Sequence, residues 1–256
     1  MNSSIGRALA SARLDGTKLA ADPGPTPKSL TQAYEIQDEM IETISVPVVG
    51  WKIGANSPEA RARLNTDQPL YGPLFDRWTY AAPTRIPTPN GALMVVEVEI
   101  AFRLKRDLEL RDEAFSEQDV ADAIGSVHPA IEIVDRRFRD TGKPVDAKWL
   151  IADGAANHAF IYGEGRTDWR ALNLPELAVS VAMDGKVMGT GTGAESMGGP
   201  LKALHWLAEE LRQKGKRLNA GNYIITGSLA PVFEGKRGVP IIGDFGALGQ
   251  VEIVLA

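Results

Sequence analysis

The residues whose type and spacing offer chemistry are three glutamates on strand-like segments. In LMVVEVEIAF, residues 93–102, Glu97 and Glu99 alternate with Val96, Val98 and Ile100. Residues two apart on a strand point the same way, so both carboxylates share one face with Val95 and Ala101. Open water on that face would account for them, because an antiparallel sheet often keeps one polar side. An enclosed face would need a cation, since buried carboxylates are costly unless paired or bound to metal. A second segment, AIEIVD, sets Glu132 between Ile131 and Ile133. Three carboxylates among apolar neighbours, with water or substrate completing an octahedron, suit Mg²⁺ or Mn²⁺.

Two further residues could act beside such a centre. Lys52, in GWKIG, shares its strand face with Val48 and Gly50. It either snorkels its ammonium to water or holds a substrate carboxylate near a metal. Asp76, in YGPLFDRW, lies among aromatics and reads as a general base, as the partner of Arg77 or as a turn cap. Other motifs carry less. GTGTGAESMGG lacks the third glycine of a dinucleotide fingerprint and has no βαβ setting, and DFG at 244–246 stands without the other kinase motifs. His128, His158 and His205 are too dispersed for a metal triad.

Composition narrows the class. Of 256 residues, 44% are apolar and 24% charged, with 26 Gly and 16 Pro, which favours many turns and considerable β structure in one main unit. A net charge of −5 with scattered Lys and Arg gives no footprint for nucleic acid or an anionic membrane. The absence of cysteine removes disulfides, thiolate metal sites and a Cys nucleophile. No segment has the apolar length of a signal peptide or a membrane span, so a cytoplasmic protein acting on a small molecule is expected.

The elements that must position these residues follow from patterning. Ile5, Ala8, Leu9 and Ala12 with Gly16 as a stop predict a first helix. ADPGPTPKS is a Pro-rich connector, and Ser29 with Gln32 opens a helix over 30–44. VVGWKIGA reads as a strand, SPEARARLN as a short helix and QPLYGPLFD as a loop. After the glutamate strand come a capped helix in SEQDVADAIGSV, a strand in PAIEIVDRRF and a hairpin about Asp184-Gly185. PLKALHWLAEELRQKG is an amphipathic helix with Pro200 at its start and Gly215 past its end, and GNYIITGS and GQVEIVLA are late strands. The alternation indicates mixed sheets, with an N-terminal helical region over 1–70 packed on a body over 71–256.

Taken in order, GWKIG, YGPLFD, EVEIAF, HPAIEIVDRRF, ADGAANHAF, GTGTGAESMGGPLKALHWLAEEL, ITGSLAP and GDFGALGQVEI give the chain, from about residue 30 onward, a pattern that resembles the 2-keto-4-pentenoate hydratase and 4-oxalocrotonate decarboxylase family of the fumarylacetoacetate hydrolase superfamily. The resemblance implies an α+β fold, a mixed β-sheet roll with peripheral helices, usually as a homo-oligomer. It implies Mg²⁺ or Mn²⁺ held by Glu97, Glu99 and Glu132, with Lys52 on the substrate carboxylate or oxo group, Asp76 relaying a proton or orienting water, and Ser228 near the substrate. Where the family carries Ala-Ser-Ser, this chain has Ala155-Ala156-Asn157, which makes Asn157 a candidate substrate contact. The implied reaction is hydration of a 2-hydroxy-2,4-dienoate, or its 2-oxo tautomer, to a 4-hydroxy-2-oxo acid. Decarboxylation of a 2-oxo-enedioate, hydrolysis of an acylpyruvate and an inactive metal-binding relative are the alternatives.

Overall fold

The computed structural model describes residues 4–20, 25–139 and 145–256. The first part of the Pro-rich connector, residues 21–24, lies outside them. The N-terminal helices are α1 (Ile5–Asp15) and α2 (Leu30–Ile44). Gly16, at φ 64°, ends α1 in the left-handed conformation that glycine adopts without a Cβ clash. Ser29 Oγ accepts from the Gln32 N–H at 3.1 Å, which satisfies one orphan donor of the first turn, and the Gln32 side chain accepts from the Lys28 N–H just before the cap. Strand β1 (Val48–Gly54) and helix α3 (Pro58–Leu64), capped by Ser57, follow.

Residues 70–75 form a wholly buried strand, β2 (Leu70–Phe75), where the local sequence reads as a loop. Proline and glycine hide it. Pro73 is tolerated because β2 is the edge of its sheet, where a missing N–H breaks no ladder. Gly72 is required because a Cβ there would stand 2.2 Å from the Gly154 carbonyl oxygen. Next come β3 (Thr79–Ala81), β4 (Thr84–Ile86) and the long β5 (Val95–Leu104). Helix α4 (Glu117–Ala123) closes its capping box with Ser116 and Asp119 but ends before Ile124. Strand β6 (Ile124–Val134) therefore begins five residues ahead of the predicted PAIEIVDRRF, because pairing with β5 captures that stretch.

The remaining elements are α5 (Ala147–Ala152), β7 (Asn157–Tyr162), β8 (Ala178–Met183), β9 (Lys186–Thr192), α6 (Pro200–Gln213), β10 (Tyr223–Ile225), β11 (Phe233–Glu234), β12 (Pro240–Asp244) and β13 (Gln250–Leu255). Asp184 and Gly185, both at positive φ, make the β8–β9 hairpin turn as their sequence predicts.

The large sheet runs β2-β1-β10-β5-β6-β7-β3, with β11 also paired to β5. The second runs β4-β13-β12-β8-β9. Within the N-terminal 70 residues, α1, α2 and α3 are helical while β1 pairs with β10 and so joins the large sheet. Val96, Val98, Ile100 and Phe102 on one face of β5 join the main core with Ile241, Val251 and Ile253 of the second sheet. The opposite face curls inward into a half-barrel, since β2 approaches β7 across it. Leu74, Ala101, Ala130, Phe160 and Ile225 fill its middle and Tyr223 and Tyr162 stack toward one end. The three glutamates stand at the other.

Candidate active site

Antiparallel pairing of β5 with β6 sets Glu97 directly opposite Glu132 and Glu99 opposite Ala130. Directly paired residues share a face, so register alone brings the third carboxylate to the first two. One carboxylate oxygen from each lies within 4.8 Å of the others. Glu99 and Glu132 are fully buried, and Glu97 lines a cavity of about 730 Å³.

β10 and β11 pair with the two ends of β5, leaving the chain between them to bulge over its middle. This segment, 226–232, is tied down by Thr226 Oγ1 to the Ile100 carbonyl at 3.1 Å and by the Leu229 N–H to the Val98 carbonyl at 2.8 Å. The Gly227 N–H then donates to Glu99 Oε2 at 2.6 Å. Glu99 Oε1 is buried with no hydrogen-bond partner. Ser228, on the same bulge, lines the cavity and donates its hydroxyl to the Ala230 carbonyl at 2.9 Å.

Lys52 comes from β1, which crosses the half-barrel beside β10. It is 3% exposed, its Nζ forms an ion pair with Glu132 Oε2 at 2.9 Å and it donates to the Ala155 carbonyl at 3.3 Å. Burial opposes its charge, but Glu132, Glu97 and Glu99 outweigh that cost and hold the ammonium above the usual lysine range. Lys52 is therefore a fixed cation rather than a snorkelling surface lysine.

One lysine does not balance three carboxylates. Burial pushes the Glu97 carboxyl up to about 7, with Lys52 opposing and Glu132 assisting. Glu99 is raised well above the carboxylate range by burial and then by the charges of Glu132 and Glu97. The chain fits a hard divalent cation here: clustered oxygen donors, an orphaned Glu99 oxygen and too little positive charge.

The two remaining candidates stand elsewhere than the sequence places them. Asp76 is exposed, at the start of a short 3-10 turn after β2, and does not line the cavity. The β2 strand ends at Phe75, one residue before it. Asn157 is 1% exposed and lies behind the carboxylates, with Nδ2 donating to Glu132 Oε1 at 2.9 Å. It touches a glutamate and not the cavity, whose wall is formed by Ala155 and Ala156. Gly154, Ala155 and Ala156 all have positive φ, at 65°, 55° and 58°. Two such alanines cost on the order of 1–2 kcal/mol each, and the turn they make aims the Ala155 carbonyl at Lys52.

Further contributors carry no local signal. Asp135, just past β6, accepts from the Leu93 N–H at 3.0 Å and pairs with Lys18. Arg63 of α3 and Arg136 add positive charge to the cavity wall. Asn56 and Ser57 line it from the turn after β1.

This geometry has a counterpart among known proteins, for a family model of the fumarylacetoacetate hydrolase C-terminal domain matches residues 51–246. The chain belongs to the fumarylacetoacetate hydrolase family. Among its relatives in that family is a 2-keto-4-pentenoate hydratase of Burkholderia vietnamiensis, 34% identical over 226 residues, covering 86% of this chain and 84% of the relative. A 2-hydroxyhexa-2,4-dienoate hydratase of Comamonas testosteroni is 34% identical over 209 residues, covering 80% and 78%. The 4-oxalocrotonate decarboxylase of Pseudomonas putida G7, solved with magnesium and adipate, superposes with a TM-score of 0.87 at 26% identity over 98% of this chain and 97% of that one. The expected α+β fold, mixed sheets forming a half-barrel with peripheral helices, is the family's. No helix among the described residues is long and apolar enough to cross a membrane.

Proposed function

We propose that this fumarylacetoacetate hydrolase family protein is a metal-dependent hydratase that adds water to a 2-hydroxy-2,4-dienoate, or its 2-oxo tautomer, giving a 4-hydroxy-2-oxo acid. The observation that carries it is the Glu97–Glu99–Glu132 cluster, with Glu99 and Glu132 buried and Glu97 reaching the cavity beside Lys52. The relatives named as hydratases support the reaction type. Mg²⁺ or Mn²⁺ is the ion proposed, held by those three glutamates, and when bound it supplies a Lewis acid for the carboxylate and 2-oxygen of the substrate.

The chain's own part is binding, charge stabilisation and exclusion of water. Lys52 Nζ donates to the substrate carboxylate or 2-oxygen and stabilises negative charge as it develops there. Ion-paired with Glu132 Oε2 at 2.9 Å, its ammonium is placed to serve as a cation and hydrogen-bond donor. Ser228 Oγ, anchored on the bulge, accepts from or turns to donate to a polar substrate atom. Leu70, Leu93 and Leu229 form apolar walls for the unsaturated tail. Loss of the proton from the 2-hydroxyl and gain of a proton at C5 convert the dienol to the 2-oxo-3-enoate with no net change in protons. Water oxygen then bonds to C4 and a proton to C3, so one water is consumed and charge is unchanged.

A second reading, decarboxylation of a 2-oxo-enedioate, is favoured by the full-length superposition on the decarboxylase and by Arg63 and Arg136 in the cavity wall, which suit a second carboxylate. An ultraviolet assay of 2-hydroxydienoates and 2-oxo-enedioates, on chelated protein resupplied with Mg²⁺ or Mn²⁺ and with products weighed by mass spectrometry, separates the two. A gain of 18 mass units, about one water, is expected. Loss of CO₂ would instead establish the decarboxylase, and cleavage to pyruvate a hydrolase.

A further inference from the structure

Glu132 is held from both ends: Lys52 meets Oε2 and the Asn157 amide meets Oε1. The far side of Asn157 is occupied by Arg13 of α1, which is 7% exposed and stacks over Phe75 and Trp78. Arg13 Nη2 donates to Asn157 Oδ1 at 3.2 Å and to the His158 carbonyl at 3.2 Å, and Nη1 donates to the Asn157 carbonyl. Arg137, itself locked on Asp153 at 2.6 Å, donates to the same Asn157 carbonyl at 2.7 Å.

We infer that Arg13 is a positioning residue for the metal centre, acting through the Asn157 amide on Glu132. The inference rests on the reading of the three glutamates as metal ligands. A guanidinium has only donors and an ionised carboxylate only acceptors, so the amide between them has one orientation: oxygen toward Arg13, NH₂ toward Glu132. Without Arg13 the amide is free to turn, and its oxygen then faces a carboxylate oxygen. A serine at 157 has one short hydroxyl and could not reach both groups. An aspartate would set a second anion against Glu132. Asn157 is thus the side chain that transmits a fixed geometry from an N-terminal helix to a ligand without adding charge to the cluster.

Outer partners of metal ligands commonly change metal affinity 10–100-fold. The test is Mn²⁺ titration calorimetry on chelator-treated full-length protein, comparing wild type, R13M, R13K, N157A and R13M/N157A, with thermal unfolding recorded for each. R13M is expected to bind Mn²⁺ about 10-fold more weakly. R13K should recover part of the loss, because one ammonium reaches Asn157 Oδ1 but cannot fork to the carbonyl as well. In the N157A background, R13M should cost no further affinity, since the connection is already cut. Affinity of R13M within about twofold of wild type, or losses that multiply in the double variant, would overturn the inference. If R13M does not fold, R13K against R13K/N157A gives the same cycle. Wild-type protein that binds no Mn²⁺ would overturn the metal centre itself and the relay with it, whereas a binding wild type beside an indifferent R13M removes the relay alone.

Discussion

Lys52 Nζ stands 2.9 Å from Glu132 Oε2, each side chain almost wholly buried. The pair crosses from β1 to β6, on strands that are not neighbours, and it sets a cation against the cluster of three carboxylates. Replacing Lys52 with Met keeps much of the stem but removes that charge. The expected result is a loss in kcat of about 100-fold or more, with Mn²⁺ affinity undiminished, since the cluster becomes more negative. Steady-state kinetics and calorimetry on the same preparation check both; wild-type turnover would return Lys52 to a purely structural ion pair.

The proposed ligand set predicts unequal effects of single substitutions. E97Q, E99Q and E132Q should each weaken Mn²⁺ binding by at least about 10-fold and suppress turnover. E132Q should also lower thermal stability, because it leaves Lys52 buried without its counter-ion. E99Q should not, as Glu99 Oε1 has no partner to lose. Retained activity in all three after removal and return of metal would dismiss the assignment.

The contribution of Glu97 and Glu99 to the stability of the metal-free protein should fall as pH rises from about 4.5 to about 7. Burial lifts Glu97 to about 7 and Glu99 well above its usual range, so the folded state binds more protons than the unfolded one across that window. Stability then decreases with pH by linkage. Divalent cation should offset the loss at neutral pH. At pH 8 and without metal, E99Q is expected to melt about 3–6 °C above wild type, with the gap closing near pH 5. Melting curves at both pH values decide it, and a gap independent of pH would rule the cause out.

Asp76 is exposed and apart from the cavity, so D76N should leave kcat/KM within about twofold of wild type. A tenfold fall would place Asp76 in the reaction after all.

Asn157 contacts Glu132 and does not line the cavity. N157S should therefore scale kcat/KM for dienoates of different tail length by one common factor. A competition among substrates tests this. A change in their ranking would show that position 157 reads the tail.

Local patterning accounts for most of the elements, β2 excepted, and for the three carboxylates as candidate metal ligands. The alternation around Glu97 and Glu99, the Ser29–Gln32 and Ser116–Asp119 caps and the Asp184-Gly185 turn are local devices, set within a few residues by side-chain period and backbone freedom. The order of motifs pointed to the family. What only tertiary structure decided is which groups meet. Glu132 joins the cluster through the β5–β6 register, and β2 becomes a strand because the sheet edge tolerates Pro73 and the close approach of Gly154 demands Gly72. Asp76 and Asn157 illustrate the limit. One end-of-strand position carried Asp76 into solvent, and the strained turn at 154–156 put Asn157 against the Glu132 carboxylate and in contact with Arg13, 144 residues away. Such contacts depend on burial and long-range pairing, which have no local period to read.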